Sequence, residues 1–110
     1  MPLVKIHVEE SVWQSHRGEL IEALRPIREM LCETFNVEAS LCQLAIVPVW
    51  GLDDQAPVAA EMQILSKPDR TPDLIRAACE RLRDALARAA QARTVIRTTQ
   101  LNPQTYLALK

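Results

Sequence analysis

The sequence predicts an α+β (α/β) domain in which two β-α-β units form a four-stranded mixed sheet with two helices on one face. A strand–helix–strand pattern occurs twice, with an offset of about 55 residues. Each crossover is expected to be right-handed, which makes its two strands parallel and places its helix against the sheet. The 110 residues suit a single domain. We expect the first unit at about 2–50 and the second at about 57–101, followed by a short tail at 102–110.

The first unit opens with a strand and continues with an amphipathic helix. From Leu3 to Val8 apolar and polar side chains alternate, which is typical of a half-buried strand. Between Gln14 and Phe35, apolar residues at spacings of three and four form one stripe: Leu20, Leu24, Ile27, Leu31 and Phe35. Ser11 with Gln14 resembles a capping box, and Ser15 is an alternative cap.

Two prolines mark irregular points in the first unit. Pro26 interrupts the helical pattern, and it removes a backbone hydrogen bond at a cost of about 3 kcal/mol if the helix stays straight. We therefore expect a kink, or two helical pieces, near Leu24–Arg25. The second strand is expected from about Leu41 to Val49, where Pro48 indicates the strand's end or an edge position.

The second unit follows a turn-prone segment, Gly51 to Pro57. A strand is expected from near Val58 to about Ser66. The sequence Thr71-Pro72-Asp73 is a strong helix start, with a capping hydroxyl, proline in the first turn and an acid near the positive end of the helix. The expected buried stripe is Leu74, Ala78, Leu82, Ala85, Leu86 and Ala89. A last strand is expected over about Thr94 to Gln100, ended by Asn102-Pro103.

Composition argues against several classes of protein. The net charge of −1 gives no long-range attraction to nucleic acid or to an anionic membrane. No apolar run has the length of a membrane span and no leader precedes the first strand, so we expect a cytoplasmic protein. Two glycines provide no phosphate-binding loop, and two scattered histidines, His7 and His16, provide no metal site.

The cysteines also favour a reducing compartment. There are three of them, Cys32, Cys42 and Cys79, and they lack a CxxC spacing. Cys32 and Cys79 fall within the helical patterns and resemble small apolar core residues. A cytosolic protein without disulfides is the simplest interpretation.

The predicted architecture leaves one face of the sheet uncovered. Because 48% of the residues are hydrophobic, we expect this face to meet another subunit. The open edges of the sheet favour the same conclusion, since neighbouring subunits can pair with them.

Pro2 has the most informative position in the chain. Methionine aminopeptidases remove an initiator Met before a small residue such as proline, which leaves a secondary amine at the start of a buried strand. In an apolar pocket the ammonium form is disfavoured, so the pKa falls and a free amine exists near neutral pH. Such an amine is a general base or a nucleophile. Alternatively, the proline only tolerates the first position of a strand.

A chain of two such units that begins with Met-Pro resembles the tautomerase superfamily. The likeness rests on Pro2, the two-unit layout, a basic loop after the third strand and the Thr-capped second helix. Four further features look closest to 5-carboxymethyl-2-hydroxymuconate isomerase: the segment Val8-Glu9-Glu10-Ser11, Pro26 within the helix, Trp50 after the second strand, and Leu101-Asn102-Pro103. The resemblance implies a trimer that needs no cofactor and no metal.

The resemblance also implies a reaction and its residues. Pro2 would move a proton between oxygen and carbon of an enol or dienol 2-oxo acid, and cations would hold the substrate carboxylate. Lys67 and Arg70 match the basic loop. A solvated loop, with Arg70 beside Asp69 and Asp73, is the alternative.

Two further candidates for substrate binding carry open alternatives. Arg97 lies amid the last strand, where a charge is unexpected, and it faces solvent, an interface or a site. Trp50 either forms an apolar wall that lowers the amine pKa or packs in an interface.

Some positions depart from the family pattern. Gln43 or Cys42 occupies the region where many relatives carry a carboxylate-binding arginine, and Leu41 stands where the decarboxylase has an essential aspartate. The tail has no glutamate to match that of the dehalogenases. Tautomerisation is therefore the expected chemistry. A ferredoxin-like binding or assembly module without catalysis, and a tautomerase fold with decayed activity, remain as alternatives.

Overall fold

The computed structural model describes residues 2–110 and contains four strands and two long helices. In chain order the elements are β1 (Leu3–Glu9), α1 (Glu10–Phe35), a short 3₁₀ helix (Ala39–Leu41), β2 (Gln43–Val49), β3 (Val58–Leu65), α2 (Pro72–Ala90) and β4 (Thr94–Leu101). Each strand lies within two residues of its expected position. The sequence therefore located every strand and the second helix, while the first helix begins earlier than expected.

The four strands form one mixed sheet in the order β2-β1-β3-β4. β1 is parallel to β2 and antiparallel to β3, and β3 is parallel to β4. Alternate residues of the two central strands are fully buried on the side of the helices: Val4, Ile6 and Val8 in β1, and Val58, Ala60, Met62 and Ile64 in β3. Both helices pack on this face, which confirms the predicted fold class.

The start of α1 differs from the prediction. The helix begins at Glu10 rather than near Gln14, directly after β1. Its cap is Glu9, whose carboxylate accepts hydrogen bonds from the backbone N–H and from the hydroxyl of Ser11. These bonds lower the pKa of the Glu9 carboxyl. The predicted caps, Ser11 and Ser15, were wrong because a carboxylate one residue before the helix satisfies the free N–H groups instead.

α1 is kinked into two helical pieces, but at His16 rather than near Leu24–Arg25, where the kink was expected. Within α1 only His16 has non-helical backbone angles (φ −129°, ψ 21°), and the helix continues through Pro26. Pro26 and Glu22, whose carbonyl loses its partner, both lie on the exposed side of the helix. Water can therefore hydrate the free carbonyl, and the helix needs no break there.

β2 begins two residues later than predicted, at Gln43, because Leu41 belongs to the preceding 3₁₀ helix. Pro48 lies within β2 and is opposite Val8 of β1. β2 is an edge strand, so the missing N–H of a proline can face outward. The edge position was one of the two alternatives that Pro48 indicated.

α2 begins as the sequence predicts. The Thr71 hydroxyl accepts a hydrogen bond from the Leu74 N–H at 3.2 Å, and Pro72 occupies the first turn. Ala78, Leu82, Leu86 and Ala90 are completely buried against the sheet. Within residues 2–110, neither long helix has a stretch apolar enough to cross a membrane.

The uncovered face of the sheet is more polar than the composition suggested. Its middle row contains Lys5, Glu61 and Arg97, with Glu61 directly opposite Lys5 on one side and Arg97 on the other. All three side chains are exposed. A partner that covers this face must therefore accommodate a row of alternating charges.

Candidate functional site

Pro2 lies at the start of the central strand β1 and is fully buried. Its carbonyl accepts a hydrogen bond from the Gln43 N–H at 3.1 Å. Because β1 runs between β2 and β3, the start of the strand is held on both sides. The candidate base therefore has a fixed position at one end of the sheet, which is called the Pro2 end below.

Arg70 is brought to the same end of the sheet by a tight turn. The Arg70 N–H donates to the Lys67 carbonyl at 3.0 Å, which folds the loop back toward β3. The Arg70 side chain is only 3% exposed. Its Nη1 donates to the Leu65 carbonyl at 2.7 Å, and its guanidinium carbon lies 5.4 Å from the centre of the Phe35 ring. Arg70 is therefore buried, and the alternative of a solvated Arg70 is wrong.

The remaining edge of the Arg70 guanidinium is free. Nε and Nη2 are buried, and neither has a hydrogen-bond partner among residues 2–110. These two groups point in the same direction and form the side-on fork that a carboxylate binds with two parallel hydrogen bonds. Neither of the two ion pairs between described residues involves Arg70, so Asp69 and Asp73 do not neutralise it.

The strand register relates Arg70 to Pro2. Leu3 is paired with Gln63 in the antiparallel ladder of β1 and β3. Leu65, whose carbonyl anchors Arg70, lies two residues beyond Gln63 at the end of β3. The anchor of the cation and the candidate base are thus at the same end of adjacent strands. The sequence places Phe35 only in the apolar stripe of the first helix, and a helical stripe does not show that an aromatic ring will stack on a cation.

The other residues near Pro2 are neutral or exposed. Lys67 is exposed in the loop, and Gln43 is exposed at the start of β2. Cys42 is only 4% exposed. Burial, with a smaller contribution from the nearby Cys32 thiol, raises the pKa of Cys42 to about 11. Cys42 is therefore a neutral thiol near pH 7 and adds no charge beside the candidate base.

Trp50 and Arg97 do not lie beside Pro2 within one chain. Trp50 follows the last residue of β2, at the opposite end of the sheet, roughly 20 Å from Pro2 by the rise of a strand. Both residues line a cavity of about 630 Å³ together with His7 and Arg93, called the far-end cavity below. The structure therefore places the five predicted residues in two groups, Pro2, Arg70 and Lys67 at one end and Trp50 and Arg97 toward the other.

No metal centre is found in the part of the chain that the structure describes. Among residues 2–110, no group of three or more His, Cys, Asp or Glu side chains is arranged to hold a metal ion. Arg70 and Lys67 are the two cations that the loop after β3 contributes to the Pro2 end. The arrangement is suited to binding a carboxylate and to proton transfer by an amine.

The fold was compared with known proteins. No protein-family model matches the sequence, and no curated protein matches it either. Among solved structures, macrophage migration inhibitory factor from Toxoplasma gondii superimposes with a TM-score of 0.70 at 11% identity, over 96% of this chain and 95% of that one. Fused 4-OT, described as a symmetric trimer, has a TM-score of 0.70 at 14% identity, over 97% of this chain and 90% of that one.

A third similar structure is malonate semialdehyde decarboxylase, described as having decarboxylase and hydratase activities. Its TM-score is 0.62 at 13% identity, over 98% of this chain and 91% of that one. The three structures superimpose over nearly the whole chain, although few residues are identical. This chain therefore has the tautomerase-like α+β fold.

Proposed function

We propose that this protein is a cofactor-independent tautomerase or isomerase of unsaturated 2-oxo acids, with the amine of Pro2 as general base after removal of Met1. The observation that carries the proposal is the free Nε/Nη2 fork of Arg70 at the Pro2 end of the sheet. A buried guanidinium with two unpartnered N–H groups is stabilised by an oxyanion, and the adjacent strand begins with a residue that can supply an amine. The fold shared with the tautomerases supports the same conclusion.

The proposed reaction is a proton transfer within the substrate. The neutral Pro2 amine takes the proton from the 2-hydroxyl or from the α-carbon, and the electrons of the broken bond enter the conjugated system. The resulting ammonium returns the proton to a carbon or oxygen further along that system. Arg70 binds the carboxylate and stabilises the negative charge of the enolate, which has its greatest effect in a site closed to water. Lys67, exposed in the same loop, adds a second positive charge.

We further propose that three copies assemble, so that the far-end cavity of one subunit meets the Pro2 end of the next. This arrangement gives Trp50 and Arg97 a role in substrate binding that they lack within one chain. Trp50 is 82% exposed, and a tryptophan of this exposure is a common interface residue. Fused 4-OT is described as a trimer with this fold, which supports a trimer here.

The test of the base is an ultraviolet assay of enol-to-keto conversion. The substrates are 2-hydroxymuconate, its carboxymethyl derivative and phenylenolpyruvate, and the intact mass of the protein must show that Met1 is absent. We expect acceleration above buffer that falls at least tenfold in Pro2→Ala, because this variant replaces a secondary amine by a primary one while the fold is kept. Equal rates in wild type and Pro2→Ala would remove Pro2 from the mechanism.

The test of the cation uses Arg70→Lys, which keeps the charge and loses the fork. We expect kcat/KM to fall at least tenfold, since a lysine offers one point charge in place of two parallel hydrogen bonds. Arg76→Lys is the matched control, because Arg76 is exposed on α2. If no enol is converted by the wild type, the protein is a binding module or a decayed enzyme on the same fold.

A further inference from the structure

A positively charged groove lies along the outer edge of β2. It has a volume of about 770 Å³ and is lined by α1 and by the starts of β1 and β2. Its charged lining residues are Lys5, Arg25 and Arg28, and within residues 2–110 no acidic side chain lines it. The whole chain has 14 acidic and 13 basic residues, so this local excess of positive charge does not follow from composition.

The walls of the groove are apolar. Ile21 and Leu24 face it from α1, and Leu3 faces it from β1. Ile21 is 52% exposed, although it belongs to a helix whose other large aliphatic side chains mostly pack inward. An apolar wall that ends in cations is suited to an organic anion with a carbon chain, and less suited to a small inorganic ion.

The groove is lined by neighbours of Pro2. Leu3, Cys42 and Gln43 line it; Leu3 follows Pro2 in the chain, and the Gln43 N–H binds the Pro2 carbonyl. The positive charge of Arg28 is felt at the Cys42 thiol, where it lowers the pKa against the larger effect of burial. A ligand that reaches the Pro2 amine therefore has a basic groove directly beside it.

We propose that this groove binds a second anionic group of the substrate, with Arg25 and Arg28 as the residues that select for it. The inference rests on the proposed function: Arg70 holds the carboxylate next to the reacting carbons, and the groove holds a carboxylate at the far end of the molecule. The chain has no arginine in β2, and Arg25 and Arg28 of α1 supply positive charge at the edge of that strand. The preferred substrate is accordingly an enol acid with two carboxylates.

The proposal is tested first by binding, without catalysis. Adipate and hexanoate have the same number of carbons but two and one carboxylates, and each is titrated into the protein while amide chemical shifts are followed by NMR. We expect adipate to bind at least fivefold more tightly than hexanoate, with shifts at α1 and at the start of β2. In the double variant Arg25→Gln/Arg28→Gln, adipate should bind no better than hexanoate.

Arg17→Gln is the matched control, because Arg17 is an exposed arginine of α1 outside the groove. It should leave the preference for adipate unchanged. Equal binding of the two acids by wild type, or a preference that survives in the double variant, would overturn the proposal. An equal loss in Arg17→Gln would also overturn it, since the effect would then be one of net charge.

Turnover separates this inference from the proposed function. In the double variant, kcat/KM should fall at least tenfold for 2-hydroxymuconate and less than twofold for phenylenolpyruvate, which has one carboxylate. Equal losses for both substrates would contradict a second anion subsite. If adipate binds as expected but no enol is converted, the groove is supported as a dicarboxylate site and the tautomerase function is rejected.

Discussion

Cys42 combines burial beside Pro2 with a thiol whose ionisation is strongly disfavoured. The unfolded chain loses this proton near the ordinary pKa of 9.0, whereas the folded chain keeps it until about pH 11. Between these values the unfolded state binds fewer protons than the folded state, so stability falls as the pH rises. This difference in pKa between the unfolded and the folded chain corresponds to a loss of up to about 3 kcal/mol.

This pH dependence can be measured by urea unfolding at pH 8 and pH 10.5. The free energy of unfolding of wild type should fall between the two values by about 1–2 kcal/mol more than that of Cys42→Ala, which has no thiol to ionise at this position. Parallel changes in the two proteins would show that Cys42 does not titrate differently in the folded and unfolded states.

The sequence predicted the residue types of the candidate site better than their surroundings. Arg70 could be identified from a basic loop that precedes a capped helix. Its burial could not be predicted, because it depends on Phe35 and on the Leu65 carbonyl. Phe35 lies in another element. Every residue has a backbone carbonyl, so the sequence does not indicate which carbonyl will accept the hydrogen bond. Contacts of this kind become visible only once the helix and the strand have been placed together.

At the scale of the elements, Pro26 is an unfavourable residue that α1 tolerates. The helix continues through it without a break in backbone angles, so the cost is a missing hydrogen bond and steric crowding with the preceding turn. Pro26→Ala should raise the free energy of unfolding by about 2 kcal/mol, since alanine restores the missing hydrogen bond. The unfolded chain with alanine has more conformational entropy, and this offsets only part of the stabilisation.

Pro72→Ala is the control for this prediction. Pro72 is in the first turn of α2, where the missing N–H is not needed and the fixed backbone angle favours the helix. Its replacement should leave the free energy of unfolding unchanged or slightly lower. A stabilisation of similar size in both variants, measured by chemical denaturation, would mean that the position within the helix is not what matters.

The boundaries of the elements show why periodicity predicts helices better than it predicts their ends. The apolar stripe of α1 begins at Leu20, and the helix begins ten residues earlier, at Glu10. A short-range cap set the boundary there, and a glutamate is a less usual cap than the serines nearby. In α2 the cap, the proline and the apolar stripe agree, and the predicted start at Thr71-Pro72 is confirmed.

At the scale of the whole molecule, the uncovered face can be probed through its row of charges. Glu61 lies between Lys5 and Arg97 in the strand register. In Glu61→Lys the row has three positive charges, and like charges directly opposite each other on neighbouring strands are destabilising. If three copies assemble through this face, the repulsion is repeated in each copy and the trimer should dissociate more readily.

Sedimentation measures this outcome. Wild type should have three times the 12.4 kDa mass of one chain. The Glu61→Lys trimer should begin to dissociate at a protein concentration at least tenfold higher than that at which the wild-type trimer does. Glu33→Lys, on the exposed side of α1, makes the same change of charge away from the sheet and should behave as wild type. A monomeric wild type would contradict the proposed assembly.

The position of Pro2 in a central strand also bears on when Met1 can be removed. β1 is enclosed only after β2 and β3 have been synthesised, and these strands begin at Gln43 and Val58. At about 5–20 residues per second, the amino terminus therefore spends several seconds outside any sheet. An aminopeptidase can reach the bond before Pro2 in that interval, before β1 is enclosed between its two neighbours. If the Pro2 amine is the base, as proposed above, we expect Met1 to be removed during translation.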